Sequence, residues 1–340
     1  MKKLKGALVG CGFFAQNHLH AWNMLADVEM VALCDRDQQR AAQYAKQFKV
    51  PHIYSTMTEL LQAESLDFVD IATQADTHRQ LVEQAAARGV HVICQKPLAP
   101  TLDDARAMQT ACDKAGVQFM VHENFRWQAP LRKVKDLLPG LGKLFFGRIH
   151  FRSGFDVYAG QPYLAKDKRF IIYDLGVHLL DLARFYFGEV SELYCNMLKV
   201  NPKINGEDAA VIMLKFTSGA TGVVDLSYAS HPADELFPQT LVELEGDKGS
   251  IRLDGHYHIT RVLDGHIEKI HAPPLRHSWC SEPGLPVQSS VFEIQKHWVD
   301  CLQNRQIPET SARDNIHTLE LVFGAYASAE SASLYKFHTT

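Results

Sequence analysis

The sequence predicts an α/β fold in two parts: a parallel sheet covered by helices, then an α+β part with a large, mainly antiparallel open sheet. Two patterns predict it. Up to about residue 122, short apolar runs alternate with amphipathic stretches. Beyond that, apolar runs follow one another across tight turns. The length agrees, since 340 residues divide into two domains of ordinary size.

In the first part, Gly6–Val9, Met30–Cys34, Phe68–Ala72, His91–Cys94 and Phe119–Val121 have the length and composition of buried strands. Between them lie Asn17–Leu25, Gln38–Phe48, Thr77–Arg88 and Leu102–Ala115, which read as helices. Gly89 and Gly116 end two of these helices, and Pro97 and Pro100 break the chain after the fourth run. A helix between successive strands makes the pairing parallel. This is a domain of residues 1–122.

The second domain, 123–340, opens with a helix over Pro130–Leu138 and a strand over Lys143–Arg152. Asp174–Phe187 is strongly helical and stops at Gly188. Strands follow at Glu192–Leu198, Ala209–Phe216, Ala220–Ser227, Leu241–Glu245, Ser250–Leu253 and His256–Val262, joined by turns such as Gly246-Asp247-Lys248-Gly249. Residues 263–290 carry the weakest pattern and read as a long surface loop. The tail is helical at Val291–Gln303 and Ala312–Lys336, and the last helix is expected to pack back on the first domain.

Composition narrows the function. Thirty-nine acids against 35 bases give a net charge of −4, which excludes a strongly basic nucleic-acid binder. No apolar stretch approaches the ~20 residues of a membrane span. The Lys-rich start before an apolar run imitates a signal peptide, but Gly10 and Gly12 interrupt it and a buried strand is the expectation. Seven cysteines without CxxC spacing fit a reducing compartment, so a soluble cytoplasmic protein is expected. Seventeen histidines are an excess that asks for an explanation.

Gly10-Cys11-Gly12-Phe13-Phe14-Ala15 directly follows the first strand and opens a helix. In that context G-x-G-x-x-A is a dinucleotide-binding turn. The first glycine permits the bend, the second lets the backbone approach a pyrophosphate, and the small Ala15 allows helix and strand to pack closely. Asp35 ends the second strand, where a carboxylate receives a ribose hydroxyl. It favours NAD over NADP, although Arg36 next to it leaves NADP possible. Thr73 and the Gln95-Lys96-Pro97 turn lie at carboxyl ends of parallel strands, where such sheets bind ligands. Lys96 there is either a solvated loop residue or a donor to a reacting oxygen. Thr73 could line the cleft, and His78 is either a helix-start residue or a catalyst.

Asp174, His178 and Asp181 are spaced i, i+4 and i+7 and would share one stripe of a regular helix. Three readings fit: a core histidine with a structural acid, a general base with its partner, or two ligands of a metal. No third and fourth ligand stands nearby in sequence, so no metal is expected.

Together these motifs resemble the Gfo/Idh/MocA family of NAD(P)-dependent oxidoreductases. The resemblance spans the chain: the Gly10–Ala15 loop, Asp35, Thr73, Gln95-Lys96-Pro97, Asn124–Arg126 and Asp174-x-Gly-x-His178-x-x-Asp181. It implies a Rossmann domain, a second domain whose open sheet makes a homo-oligomer (dimer or tetramer), and catalysis by Lys96, Asp174 and His178. It implies that Gly10, Cys11, Gly12, Phe13, Phe14, Asp35, Arg36, Thr73, His78, Gln95 and Lys96 line an NAD site. Asn124, Arg126, Arg152 and Tyr158 would join the catalytic residues around a small-molecule sugar; Arg126 and Arg152 read equally as surface or structural arginines, and Asn124 alternatively as a cap where the chain crosses to the second domain. Two positions depart from the pattern: Gln95 stands where the family commonly has Glu, and Thr73-Gln74 replaces Thr-Pro. The Gln95 variant and the segments Asn17–Trp22 and His122–Arg126 resemble a subgroup that oxidises a branched pentose at its anomeric carbon. Dehydrogenases of inositols, amino sugars or dihydrodiols, and a non-catalytic NAD-binding sensor, are the alternatives.

Overall fold

The computed structural model describes residues 3–337; residues 1–2 and 338–340, the outer ends of the two expected domains, lie outside them. The chain forms two units. One comprises the residues up to Asn124 together with Val291–His317; the other comprises Phe125–Ser290 and the residues from Thr318 onward. This corrects the expected division at residue 122, because 27 residues of the tail return to the first unit while most of the last helix does not.

The first unit runs β1 (Leu4–Val9), α1 (Ala15–Met24), β2 (Val28–Cys34), α2 (Gln38–Phe48), β3 (His52–Tyr54), α3 (Met57–Ala63), β4 (Phe68–Ile71), α4 (Ala75–Ala87), β5 (His91–Gln95), α5 (Leu102–Ala115) and β6 (Phe119–His122). Its sheet has the order β3-β2-β1-β4-β5-β6 and is parallel throughout. Helix starts follow local chemistry: Asp37, Thr56 and Thr101 each accept a backbone N–H three residues on. The chain order reverses between β1 and β4, and in such sheets the crevice at that reversal, beyond the carboxyl strand ends, receives ligands. Strand β3 and helix α3 were not expected. The strand has three residues on the sheet edge and the helix seven, both too short to print a period.

The second unit contains α6 (Ala129–Leu137), β7 (Leu144–Arg152), α7 (Val157–Gly160), a π-helical turn (Ile172–Gly176) and α8 (Val177–Phe187). Strands β8 (Val190–Leu198), β9 (Ala209–Phe216), β10 (Thr221–Ser227), β11 (Leu241–Gly246), β12 (Gly249–Leu253), β13 (His258–Leu263) and β14 (His266–His271) follow. After α9 (Leu285–Asn304) and α10 (Ala312–Ser331), β15 (Tyr335–Lys336) adds to the sheet. The order is β14-β13-β12-β11-β7-β10-β9-β8-β15, antiparallel except for the β7–β10 pair. Helix α8 packs Leu179, Leu180 and Leu182 into one core with Ile149, Phe151, Val224 and Leu226 of the sheet. Gly147 makes this close approach possible, since a Cβ there would lie 2.4 Å from the Phe187 ring. The opposite face shows Tyr194, Val211 and Met213 exposed.

The loop expected over 263–290 holds β14 and the first turn of α9. Almost every residue of β14 is exposed, so it carries no apolar alternation to read. The last helix stops at Ser331 and not at Lys336.

Candidate active site

The glycine loop is built for a close ligand. Gly10 has φ of +97°, and a Cβ there would lie 2.8 Å from the Ala72 carbonyl oxygen and from Thr73 Cγ2. Only glycine fits at this turn between β1 and the end of β4. A Cβ at Gly12 would meet nothing within 4 Å. Its small size is therefore not demanded by the protein's own packing; the open cradle suits a pyrophosphate. Helix α1 begins at Ala15 with no side chain capping its N-terminus, as an anion site requires.

Asp35 completes this end. Its Oδ2 accepts the Cys11 N–H at 2.6 Å and its Oδ1 accepts the Asp37 N–H at 2.7 Å. The carboxylate is thus fixed beside the loop, and Arg36 is exposed. Phe13 is 70% exposed and Phe14 stands edge-on to the His18 ring. Burial pushes the Cys11 and Cys34 thiols up to about 12, so both are inert packing residues at neutral pH. These residues fit a dinucleotide.

At the neighbouring strand ends, Thr73 receives a hydrogen bond from Thr77 Oγ1 at 2.7 Å. His78 is corrected. It is fully buried, with Nδ1 3.0 Å from the Leu98 carbonyl oxygen and Nε2 3.2 Å from that of Thr73. It ties the two turns together from behind and has no surface left to offer a cofactor. Burial holds its pKa below the usual histidine value. The Lys96 N–H donates to Gln95 Oε1 at 2.8 Å, and Gln95 Nε2 stands 3.0 Å from His18 Nε2. Asn124 closes the first stretch of this unit and is 3% exposed.

In the second unit, Asp174 sits inside the π-helical turn and is partly exposed. Single π turns of this kind are frequent at functional sites. His178 follows on α8, 4% exposed, its ring stacked on Phe125 at 3.8 Å between centroids. Around Asp174 lie groups the sequence did not single out. Tyr163 and Asp167 both stand exposed, and each is raised by partial desolvation first and by the Asp174 charge second. Glu207 was also missed. Its carboxylate accepts the N–H groups of Phe170 and Ile172 and the Tyr326 hydroxyl, anchoring the chain just before Asp174.

One expectation fails here, and two arginines take their structural reading. Asp181 does not share a ligand-facing stripe with Asp174. It takes a bidentate pair from Arg126 (2.5 and 2.7 Å) and a hydrogen bond from Thr318 at 3.0 Å, all buried. Arg126 is accordingly a structural cation and not a substrate contact. Arg152 lies one residue past the core residue Phe151, so strand alternation turns it to the sheet face opposite α8, where it pairs with Asp225 at 2.5 Å. Tyr158 packs on Phe170 within the second unit, its ring centroid 5.7 Å away. Among the described residues, no three of His, Cys, Asp and Glu converge to hold a metal, and no helix is long and apolar enough to cross a membrane.

Residues 4–123 match the oxidoreductase family with an NAD-binding Rossmann fold, and 131–252 match the Gfo/Idh/MocA C-terminal domain. The chain belongs to the Gfo/Idh/MocA family. It is an oxidoreductase of this NAD-binding class. Two Gfo/Idh/MocA relatives are D-apiose dehydrogenases. The one from Paraburkholderia graminis is 52% identical, over 97% of this chain and 88% of that protein. The one from Rhizobium rhizogenes is 47% identical, over 97% and 96%. A family structure, an oxidoreductase from Agrobacterium radiobacter in complex with NAD+, L-tartaric acid and magnesium, superimposes with a TM-score of 0.97 at 46% identity, covering 98% of both chains.

Proposed function

We propose that this Gfo/Idh/MocA enzyme oxidises D-apiose, as the cyclic hemiacetal, at its anomeric carbon to the lactone with NAD+. The observation that carries the reading is the near-full-length identity to two D-apiose dehydrogenases. The cradle at Gly12 and the fixed Asp35 carboxylate support NAD over NADP, because a 2′-phosphate would meet a negative charge.

Bound NAD+ supplies the hydride acceptor. A ring nitrogen of His178 takes the proton of the anomeric hydroxyl as hydride leaves the same carbon, so the C–H and O–H bonds of the hemiacetal become the C=O of the lactone. Imidazole is the side chain whose ordinary pKa, about 6.5, lies nearest neutral pH, which is why a histidine suits the task. The Lys96 ammonium donates to the reacting oxygen and favours its developing negative charge. Asp174 orients the sugar through its hydroxyls. Tyr158 and Asn124 are further sugar contacts in this reading. The enzyme is read as a homo-oligomer built through the open sheet face, where Tyr194 and Met213 stand exposed and paired across β8 and β9.

A panel of aldoses, inositols and uronates with NAD+ and with NADP+, followed by nicotinamide absorbance, tests the assignment. Reduction of NAD+ by D-apiose well above the other sugars is expected; no reduction with any sugar would favour a sensor. His178→Ala and Lys96→Ala are each expected to lower kcat by about 100-fold or more, with NAD+ affinity nearly unchanged for His178→Ala. Normal turnover by either folded variant would remove its residue from the mechanism.

A further inference from the structure

Within the first unit, a chain of side chains runs from the buried interior to the backbone of Lys96. His18 and Asp70 are both fully buried, with His18 Nδ1 2.7 Å from Asp70 Oδ2. The Trp22 indole N–H donates to the same oxygen at 2.6 Å. His122 stacks on the His18 ring at 4.2 Å and Phe14 meets it edge-on, so the ring cannot turn freely. On its other side, His18 Nε2 faces Gln95 Nε2 at 3.0 Å, and Gln95 Oε1 faces the Lys96 N–H at 2.8 Å.

The chemistry of the donors orders every proton in this chain. A backbone N–H only donates, so the Gln95 atom facing Lys96 is its oxygen. The Gln95 amide nitrogen then faces His18 and donates to it. The His18 Nε2 must accept, and its proton sits on Nδ1, where it donates to the Asp70 carboxylate. Glutamate at position 95 would reverse the middle link. A carboxylate oxygen would face Nε2, and the ring would need protons on both nitrogens. Glutamine at 95 and a singly protonated His18 are matched.

We propose that His18, held by Asp70, is a positioning residue that sets the Lys96 backbone through Gln95, and that the Gln95 amide holds the ring in its Nδ1–H form. This deepens the reading above, since it rests on Lys96 acting at the reacting oxygen. It assigns a task to a histidine that the reaction scheme does not otherwise use.

Two measurements test it, one without turnover. In protein carrying 15N-histidine, two-bond proton–nitrogen correlations are expected to show His18 as the neutral Nδ1–H tautomer in the native enzyme and as doubly protonated in Gln95→Glu. A native Nε2–H ring, or a ring unchanged in Gln95→Glu, overturns the proposal even if the sugar assignment is correct. In the second measurement His18→Phe keeps the ring stack but removes both nitrogens, while His18→Gln restores an acceptor toward Gln95. His18→Phe is expected to lower kcat about 10–100-fold with the sugar KM little changed, and His18→Gln to recover most of the loss. Equal kcat in native enzyme and folded His18→Phe overturns the positioning role. Should His18→Phe not fold, Gln95→Met, which keeps the length of a partly exposed side chain and removes the relay, is expected to show the same kcat loss; full activity there overturns it equally. If D-apiose is not the substrate, the ring spectra still decide the proton order, so the two failures are told apart.

Discussion

Arg126 and Asp181 illustrate how a residue type misleads when its partner is out of sight. In sequence they are 55 positions apart, and each has the chemistry of a ligand contact. In the fold they pair with each other, with Thr318 and the Phe185 ring beside them. Asp181→Ala leaves a buried guanidinium without its counter-charge and is expected to cost about 3–5 kcal/mol in urea unfolding. A paired replacement of Arg126 and Asp181 by Met and Leu is expected to recover much of that loss, which a substrate contact would not do. The glycine loop offers the opposite contrast. Gly10→Ala is expected to lower the melting temperature, because its Cβ meets backbone at 2.8 Å in a left-handed turn. Gly12→Ala, with open space around it, is expected to melt like the native protein and yet bind NAD+ about tenfold or more weakly in a fluorescence titration. Both glycines are legible in the sequence; only the structure separates the one the fold needs from the one the ligand needs.

At the scale of elements, the turn that holds Asp174 is decisive. A π turn accommodates one more residue than an α turn, which rotates all that follows by about 100°. Asp181 is buried against Arg126 while Asp174 in the turn is partly exposed, although i and i+7 would align in a regular helix. Nothing in the pattern of apolar residues marks the inserted residue, so this was not readable in advance. Its anchor is Glu207, which serves two backbone donors and one hydroxyl from a distant strand connection. Glu207→Ala is expected to destabilise the second unit by about 2–4 kcal/mol in chemical denaturation, and Glu207→Gln by less, because an acceptor remains. The long elements were legible because burial on one face prints a period of two or 3.6. Strands β3 and β14 and helix α3 were not. The strands show little or no apolar face and the helix makes only two turns, so pairing and tertiary contact, not periodicity, define them.

For the whole molecule, the histidine excess becomes a statement about pH. Burial lowers His78, His91 and His150, and less buried His20 moves the same way. A histidine depressed in the folded state stays neutral while the unfolded chain takes up a proton. Its stabilisation is present above the ordinary value near 6.5 and is lost as pH falls below it. The unfolding free energy is therefore expected to fall as pH drops from 7 toward 5, by up to about 1.4 kcal/mol per pH unit for fully buried His78, and the melting temperature to fall with it. A flat profile across that range would contradict these assignments. The thiols act at the other end: Cys11, Cys34, Cys112 and Cys195 are each pushed up to about 12 by burial first, so their stabilisation holds below about 9 and declines as pH rises toward 12.

The return of Val291–His317 to the first unit has a consequence in time. Trp298 and Ile294 are fully buried there, Trp298 against Phe68, and the Val121 N–H donates to the Thr310 carbonyl oxygen. A chain emerging from the ribosome presents the entire parallel sheet early, yet the helix that seals it arrives only after the second unit's strands β7–β14 have been made. The nucleotide-binding unit begins synthesis first and is completed late, and through that interval its unsealed apolar face is the surface a chaperone would guard.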